Sequence, residues 1–451
     1  MIPSINNIKL LKIIKPIWYY YIEGGDSTFH WVDYRNLSNK KKMHIDYCDL
    51  YDDENASLLD AMYQAWHRGF IKTRVGLKME KNYHLSFFDQ YLFIRRMFKP
   101  VWVYYLILIR LITFKFRLSE ISAFVKTMGT KMVDLNNPHI NYETYSSFDD
   151  DVLRKTPLIS IVLPTLNRYP QLNEVLIDLE MQNYKNFEVI VIDQSDLVNT
   201  KFYDKYDLNL KHVIQKEKAL WRARNEGIKL SNAEYILFLD DDSKVSPNWI
   251  FEHLKCLHYF DVEISAGVSI SVVGAPTPKH YSYFRLGDQL DTGNVLIRKK
   301  VFEKVGLFDL QFEGMRMGDH EFGARAHKNG FSIVNNFRAK RYHFKTPTGG
   351  LREISGWDGF RPNSLFKPRP VPSVLYLYRK YWGDGAAVFS LILLTPISLM
   401  PYKLKGLKIA YIISLLVFIS LFPFIFLQLF RAWKRSSRML RIGPKINFIN
   451  P

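Results

Sequence analysis

From residue 157 onward, short apolar runs alternate with segments whose apolar positions recur at helical spacing. Residues 158–163 read as a strand that stops at Pro164. Residues 171–181 follow with Leu172, Val175, Leu176 and Leu179 on one helical face. Further strands are expected over 187–192, which ends at Asp193, and more weakly over 210–214. A helix is expected over 220–229, and a last strand over 235–239 runs into Asp240, Asp241 and Asp242. Near-continuous apolar strands separated by amphipathic helices predict an α/β fold with a mostly parallel sheet covered by helices.

The flanks carry other textures. Residues 1–85 read as an accessory module, with aromatic runs at 17–21 and 29–34 as candidate strands and a helix over 56–68. Residues 86–155 form a basic connector, mainly helical from 87 to 127. Its apolar stretch 101–109 is too short to span a bilayer and suits either a membrane surface or a buried core. Residues 346–378 are rich in Gly and Pro and read as a lid or linker. Its cations Arg352, Arg361, Lys367 and Arg369 either meet a lipid diphosphate or are simply solvated.

Residues 379–451 hold 22 consecutive uncharged residues at 409–430, long enough to cross a hydrocarbon core of ~30 Å. A second uncharged stretch, 386–402, is broken by Pro396 and Pro401. Charge sharpens this picture. The chain carries +18, and residues 379–451 supply eleven Lys or Arg against the single acid Asp384. Basic residues packed around apolar sequence mark a membrane flank rather than a nucleic-acid surface, so no nucleic-acid partner is expected. The cluster Arg431, Lys434, Arg435, Arg438 and Arg441 should stay cytoplasmic, with the segment either crossing twice or dipping in and returning. Residues 1–15 lack a clean apolar stretch with a small-residue cleavage site, so no signal peptide is expected there. Cys48 and Cys256 are the only cysteines, which excludes a disulfide scaffold or a cysteine zinc site and suits a reducing compartment.

The acidic triplet is the strongest chemical signal. Carboxylates closing a buried strand sit where open α/β sheets bind ligands. Asp240 and Asp242 leave the same face of an extended backbone and can approach one cation together. Hard divalent ions such as Mg²⁺ or Mn²⁺ take carboxylate oxygens and often bridge them to substrate phosphates. A solvated acidic turn is the plainer alternative. No G-x-G-x-x-G follows the first strand and no G-x-x-x-x-G-K-[ST] loop occurs, which disfavours dinucleotide and P-loop chemistry.

Five segments occur in order: IVLPTLNR at 161–168, EVIVIDQS at 188–195, RARNEG at 222–227, FLDDD at 238–242, and Gly318-Asp319. Together, over residues 156–345, they resemble the family-2 glycosyltransferases, inverting enzymes of the GT-A fold that use a nucleotide-sugar donor. The resemblance implies that Pro164, Thr165, Asn167 and Arg168 line the nucleotide and that Asp193 reads the base. Asp193-Gln194-Ser195 departs from the family's usual pair of acids, so UDP is only the preferred donor nucleotide. It places Arg224 at the donor, Asp240 and Asp241 at the nucleotide sugar, and Asp240 and Asp242 on a bridging Mn²⁺ or Mg²⁺. His343 is a further metal ligand or a structural histidine.

Asp319 matches the catalytic base, and could equally N-cap a helix over 320–329. Glu321 is the competing base. Gly293 and Asn294 fall beside the acceptor, and Trp221 stacks on a sugar or belongs to the core. No Q-x-x-R-W occurs, which favours transfer of one sugar over processive synthesis. The expectation is a membrane-associated enzyme with a cytoplasmic catalytic domain, acting on a lipid-linked or glycan acceptor in surface polysaccharide assembly. A catalytically silent scaffold that recruits synthesis partners is the alternative.

Overall fold

The computed structural model describes residues 2–22, 32–71, 79–80, 83–272, 277–345, 349–350, 359–362, 364, 366–401, 404 and 407–449. The N-terminal region is mainly helical: α1 (Glu54–His67), α2 (Phe87–Met97), α3 (Val101–Ile112) and α4 (Ser119–Lys126). α1 starts because the Asp53 side chain accepts from Asn55 N at 2.8 Å, and Ser86 starts α2 by accepting from Asp89 N at 3.0 Å. α3 is apolar all round, yet only Val103, Leu106 and Ile109 are buried; Val101, Tyr104, Leu108, Leu111 and Ile112 face outward.

The aromatic run 17–21 is not a strand. Trp18 precedes a 3-10 turn, Tyr19–Tyr21, and all four side chains are buried. Alternation would turn every second ring to solvent, whereas here Trp18 packs edge-on against Tyr20, Tyr21, Tyr63 and Trp66. Of the second aromatic run, residues 29–31 lie outside the described residues, and Tyr34 opens another 3-10 turn, Tyr34–Asn36.

One nine-stranded sheet follows, with α5 (Tyr169–Glu180), α6 (Leu220–Leu230), α7 (Trp249–Phe260), α8 (Lys299–Val305) and α9 (Gly318–Lys328) among its connections. Its strands are β1 (Ile159–Thr165), β2 (Phe187–Asp193), β3 (Leu210–Ile214), β4 (Tyr235–Leu239), β5 (Ser243–Val245), β6 (Ile264–Ser271), β7 (Arg285–Leu286), β8 (Asn294–Arg298) and β9 (Ile333–His343). Their order is β3-β2-β1-β4-β8-β6-β9-β5, with β7 beside β9. The first four are parallel and fully covered at their centre, as the uninterrupted apolar runs require. β8 then runs antiparallel to both β4 and β6.

Two registers place the chemistry. Asn294 pairs with Leu239, which brings Gly293 against Asp240. His343 pairs with Ser243, which sets its ring beside Asp242. Trp18, Tyr63 and Leu106 share one apolar core with Ile161, Leu237 and Trp249, so the N-terminal helices and the sheet are packed as a unit.

The C-terminal helices are α10 (Pro372–Ser398), α11 (Lys408–Ser420) and α12 (Phe422–Ile442). α10 contains a break at Gly383 (φ 83°), and its first half is buried against the sheet domain through Val374, Leu375, Tyr376 and Leu377. The uncharged run 409–430 is not one straight helix: it is bent by 82° between α11 and α12. Pro423 has no N–H to bond Ile419, so the helix must restart there. Among the described residues no single helix is long and apolar enough to cross a membrane; the bent pair passes only jointly.

Candidate active site

The triplet closes β4 and meets three arginines. Asp240 Oδ1 accepts from Arg224 Nη2 at 2.9 Å and Oδ2 from Arg341 Nη1 at 2.7 Å. Asp241 accepts from the Thr165 hydroxyl at 2.8 Å and from Arg168 Nη1 at 2.9 Å. Asp242 lies 3.2 Å from Arg168 Nη1 through Oδ2 and 3.1 Å from His343 Nε2 through Oδ1. Burial works against charge on Asp240, but Arg341, Arg224 and His343 outweigh it and hold the carboxyl well below the usual range. Burial likewise opposes charge on Asp242, and the His343 hydrogen bond overcomes it. Asp241 goes the other way. Burial pushes it up to about 6, because Arg168 only partly answers the desolvation and the Asp242 charge adds to it.

Asp240, Asp242 and His343 offer ligand atoms that all lie within 4.8 Å of one another. Two carboxylates and an imidazole can hold a divalent ion, and the nitrogen suits Mn²⁺ better than the oxygen-demanding Mg²⁺. Gly293 is required beside them. A Cβ there would stand 1.9 Å from Arg341 Nη1 and 2.3 Å from Asp240 Oδ2.

The nucleotide-side residues are brought together, in different ways. Pro164 and Thr165 end β1 and are buried. Asn167 takes a left-handed backbone (φ 54°), exchanges two hydrogen bonds with Asp196, and donates its backbone N–H to Ser195 Oγ at 2.9 Å. That staples the loops after β1 and β2. Arg168 also donates to the Gly349 carbonyl at 3.1 Å, folding residues 349–350 onto the site. Asp193 is fully buried, and its carboxylate accepts from Tyr169 Oη, Tyr203 Oη and Ser195 N. Its carboxylate is thus taken up in holding this loop.

Asp319 is not an N-cap. Met317 starts α9 from a left-handed conformation (φ 79°), leaving Asp319 in the first turn with its side chain a quarter exposed. Its Oδ1 accepts from His320 N at 2.9 Å and faces His320 Nδ1 at 3.1 Å. Burial opposes its charge, but His320 and the nearby Arg224 keep the carboxyl below its ordinary value. Glu321 points into the fold: it is fully buried and bound by Arg325, Lys380 and Tyr381. Asp319 is thus the carboxylate of this helix that stays partly exposed, with His320 as its partner.

Asn294 is wholly buried, and its side chain is taken up by Trp249, His253 and the Ala339 carbonyl. Trp221 belongs to the core, donating Nε1 to the Phe312 carbonyl at 3.0 Å. Arg341 and Asp291 were not singled out by the sequence reading. Arg341 is 1% exposed and joins Asp240 to Asp291 at 3.1 Å, while Asp291 Oδ1 accepts from Gly293 N. The signals were present: Arg341 is two residues before His343 on one strand, and Asp-x-Gly is a turn in which the acid binds its own backbone.

The sequence profile described as glycosyl transferase family 2 matches residues 160–321, the span from β1 to α9. The chain is 26% identical over 307 residues to chondroitin synthase of Escherichia coli, covering 56% of this chain and 44% of that protein. It is 25% identical over 252 residues to the amylovoran biosynthesis glycosyltransferase AmsB of Erwinia amylovora, covering 49% and 82% respectively. Among solved structures it is similar to S. aureus TarS 1–349 in complex with UDP-GlcNAc, with TM-score 0.40 and 17% identity over 58% of this chain and 71% of that one.

Proposed function

We propose, from the premise that this chain carries a family 2 glycosyltransferase domain, that it transfers one sugar with inversion from a nucleotide-sugar donor to a lipid-linked or glycan acceptor in surface polysaccharide assembly. The observation that carries this reading is the convergence of Asp240, Asp242 and His343 at the end of β4.

Bound between Asp240, Asp242 and His343, Mn²⁺ or Mg²⁺ supplies the Lewis acid that offsets charge on the departing diphosphate. Arg168 and Arg224 supply fixed positive charge at the same edge. Asp319 takes the proton of the acceptor hydroxyl as its oxygen bonds the anomeric carbon. The bond from that carbon to the diphosphate oxygen breaks, its electron pair leaving with the nucleotide. His320 Nδ1 orients the receiving carboxylate. UDP is the first nucleotide to try.

The exposed apolar face of α3 and the outward residues of α11 and α12, such as Ile412, Leu416, Phe424 and Phe426, support attachment to a membrane. The bent pair favours a shallow hairpin, with the basic end of α12 and the catalytic domain on the cytoplasmic side.

A catalytically silent scaffold draws on one observation. Every oxygen of the triplet already has a guanidinium, hydroxyl or imidazole partner. A thermal-shift panel of nucleotide sugars with and without Mn²⁺, followed by donor hydrolysis, decides between them. One nucleotide sugar should raise the melting temperature only with Mn²⁺ and be hydrolysed slowly. No shift and no hydrolysis with any donor would favour the scaffold.

A further inference from the structure

A cavity of about 560 Å³ opens beside His320 and Met317, immediately next to Asp319 along α9. Its volume is that of a small-molecule site, roughly 300–1,000 Å³. Three distant parts of the chain wall it: residues 14–19 and 66–67 of the N-terminal region, the segment around β7, and both halves of α10. Tyr19 fixes the first part to α9 by donating its hydroxyl to the His320 carbonyl at 2.7 Å.

The lining combines cations with aromatic faces. Lys15 Nζ sits 4.0 Å over Trp18, and the Arg285 guanidinium 4.3 Å over Trp66. A single carboxylate, Asp288, answers both, at 3.7 Å from Lys15 and 3.3 Å from Arg285, while also accepting from Trp18 Nε1. Two cations against one acid leave positive charge in the wall. His67 and His280 face the same space, and burial holds both on the neutral side, His280 down to about 4.

Three buried polar atoms of lining residues lack a partner: Arg285 Nε, His67 Nε2 and Ser390 Oγ. Arg285 is 4% exposed and Ser390 1%. A buried donor without a partner costs roughly 1–3 kcal/mol, so this wall carries a standing polar cost. The far wall, Leu393 and Leu394 on α10, is apolar.

Resting on the glycosyltransferase reading, we propose that this cavity is the acceptor subsite and that it takes an anionic group of the acceptor, a phosphate or a carboxylate. The N-terminal region is then part of the acceptor site, and α10 joins that site to the membrane-facing helices. A phosphate on an isoprenyl chain satisfies both walls, the anion at Lys15 and Arg285 and the chain along Leu393 and Leu394. An acidic sugar satisfies the first wall and stacks on its aromatic faces.

The test is binding of citronellyl phosphate, methyl β-glucuronide and inorganic phosphate to the full chain, by calorimetry at saturating UDP and Mn²⁺. Citronellyl phosphate or methyl glucuronide should bind at least tenfold tighter than inorganic phosphate, and the tighter of the two identifies the source of the anion. Lys15→Gln and Leu394→Trp should each weaken the tighter probe by tenfold or more, with UDP affinity as the control on folding. Binding unchanged in both variants, or no binding of any probe to a wild type that binds UDP, overturns the cavity assignment alone. A wild type that binds no nucleotide overturns the glycosyltransferase reading and the acceptor assignment with it.

Discussion

The strand-end triplet and the cavity beside His320 satisfy their polar groups in opposite ways. At the triplet, all six carboxylate oxygens of buried Asp241 and Asp242 and half-buried Asp240 have partners, among them three arginines. In the cavity, one acid serves two cations and three buried polar atoms have none. The first arrangement is a prepared frame whose charges are held in place before a donor arrives. The second is an incomplete one, with more cations than acids in its wall. Asp319 adjoins the cavity through His320, its neighbour on α9.

The largest expected effect separates chemistry from frame. Asp319→Asn should lower sugar transfer by about 10²–10⁴-fold, the usual worth of a general base, while UDP and Mn²⁺ binding stays close to wild type. Transfer at the wild-type rate would remove Asp319 from the reaction. Glu321→Gln, two residues on, should do the reverse. Unpairing buried Arg325 and Lys380 costs about 3–5 kcal/mol of stability, seen as a lower denaturation midpoint, with transfer retained in the folded protein. Gly293→Ala tests how tightly the frame is built. Its Cβ must displace Arg341 or Asp240, an overpacking of about 1–3 kcal/mol, read as a roughly tenfold or greater loss of Mn²⁺-dependent UDP affinity.

The smallest effect is the pH response of the Asp319–His320 pair. Asp319 lies below its ordinary 3.8 and His320 above its ordinary 6.5, in each case because the partner's charge outweighs burial. The Asp contribution to stability is present above 3.8 and is lost as pH falls through the lowered value. The His contribution is present below 6.5 and is lost as pH rises through the raised value. The melting-temperature difference between wild type and His320→Gln should therefore be widest between these limits and close on either side. A difference constant from pH 4 to 9 would mean the pair is not charged.

What could be read in advance followed the range of the interactions. β1 to β4, α5 and α6 lie where apolar periodicity put them, because each pattern is written within a dozen neighbouring residues. Asp240 and Asp242 converge for the same local reason. Trp18 to Tyr21 were misread as a strand because their packing depends on Trp66 and Trp382, far along the chain. Arg341 carries no local signal of its contact with Asp240, because only the register of β9 against β5 puts it there. Asp319 looked like a cap because the left-handed turn at Met317 has no sequence signature. The run at 409–430 looked like one span because Pro423 sits inside it without charge.

The most direct measurement is electron paramagnetic resonance of Mn²⁺ titrated into the full chain with UDP present. One tightly held ion is expected, showing nitrogen hyperfine coupling from the His343 ring that disappears in His343→Gln, with the ion itself lost in Asp242→Ala. An ion bound equally well by both variants, or no bound ion at all, would contradict the claim that this strand end holds the cation of a sugar-transfer site.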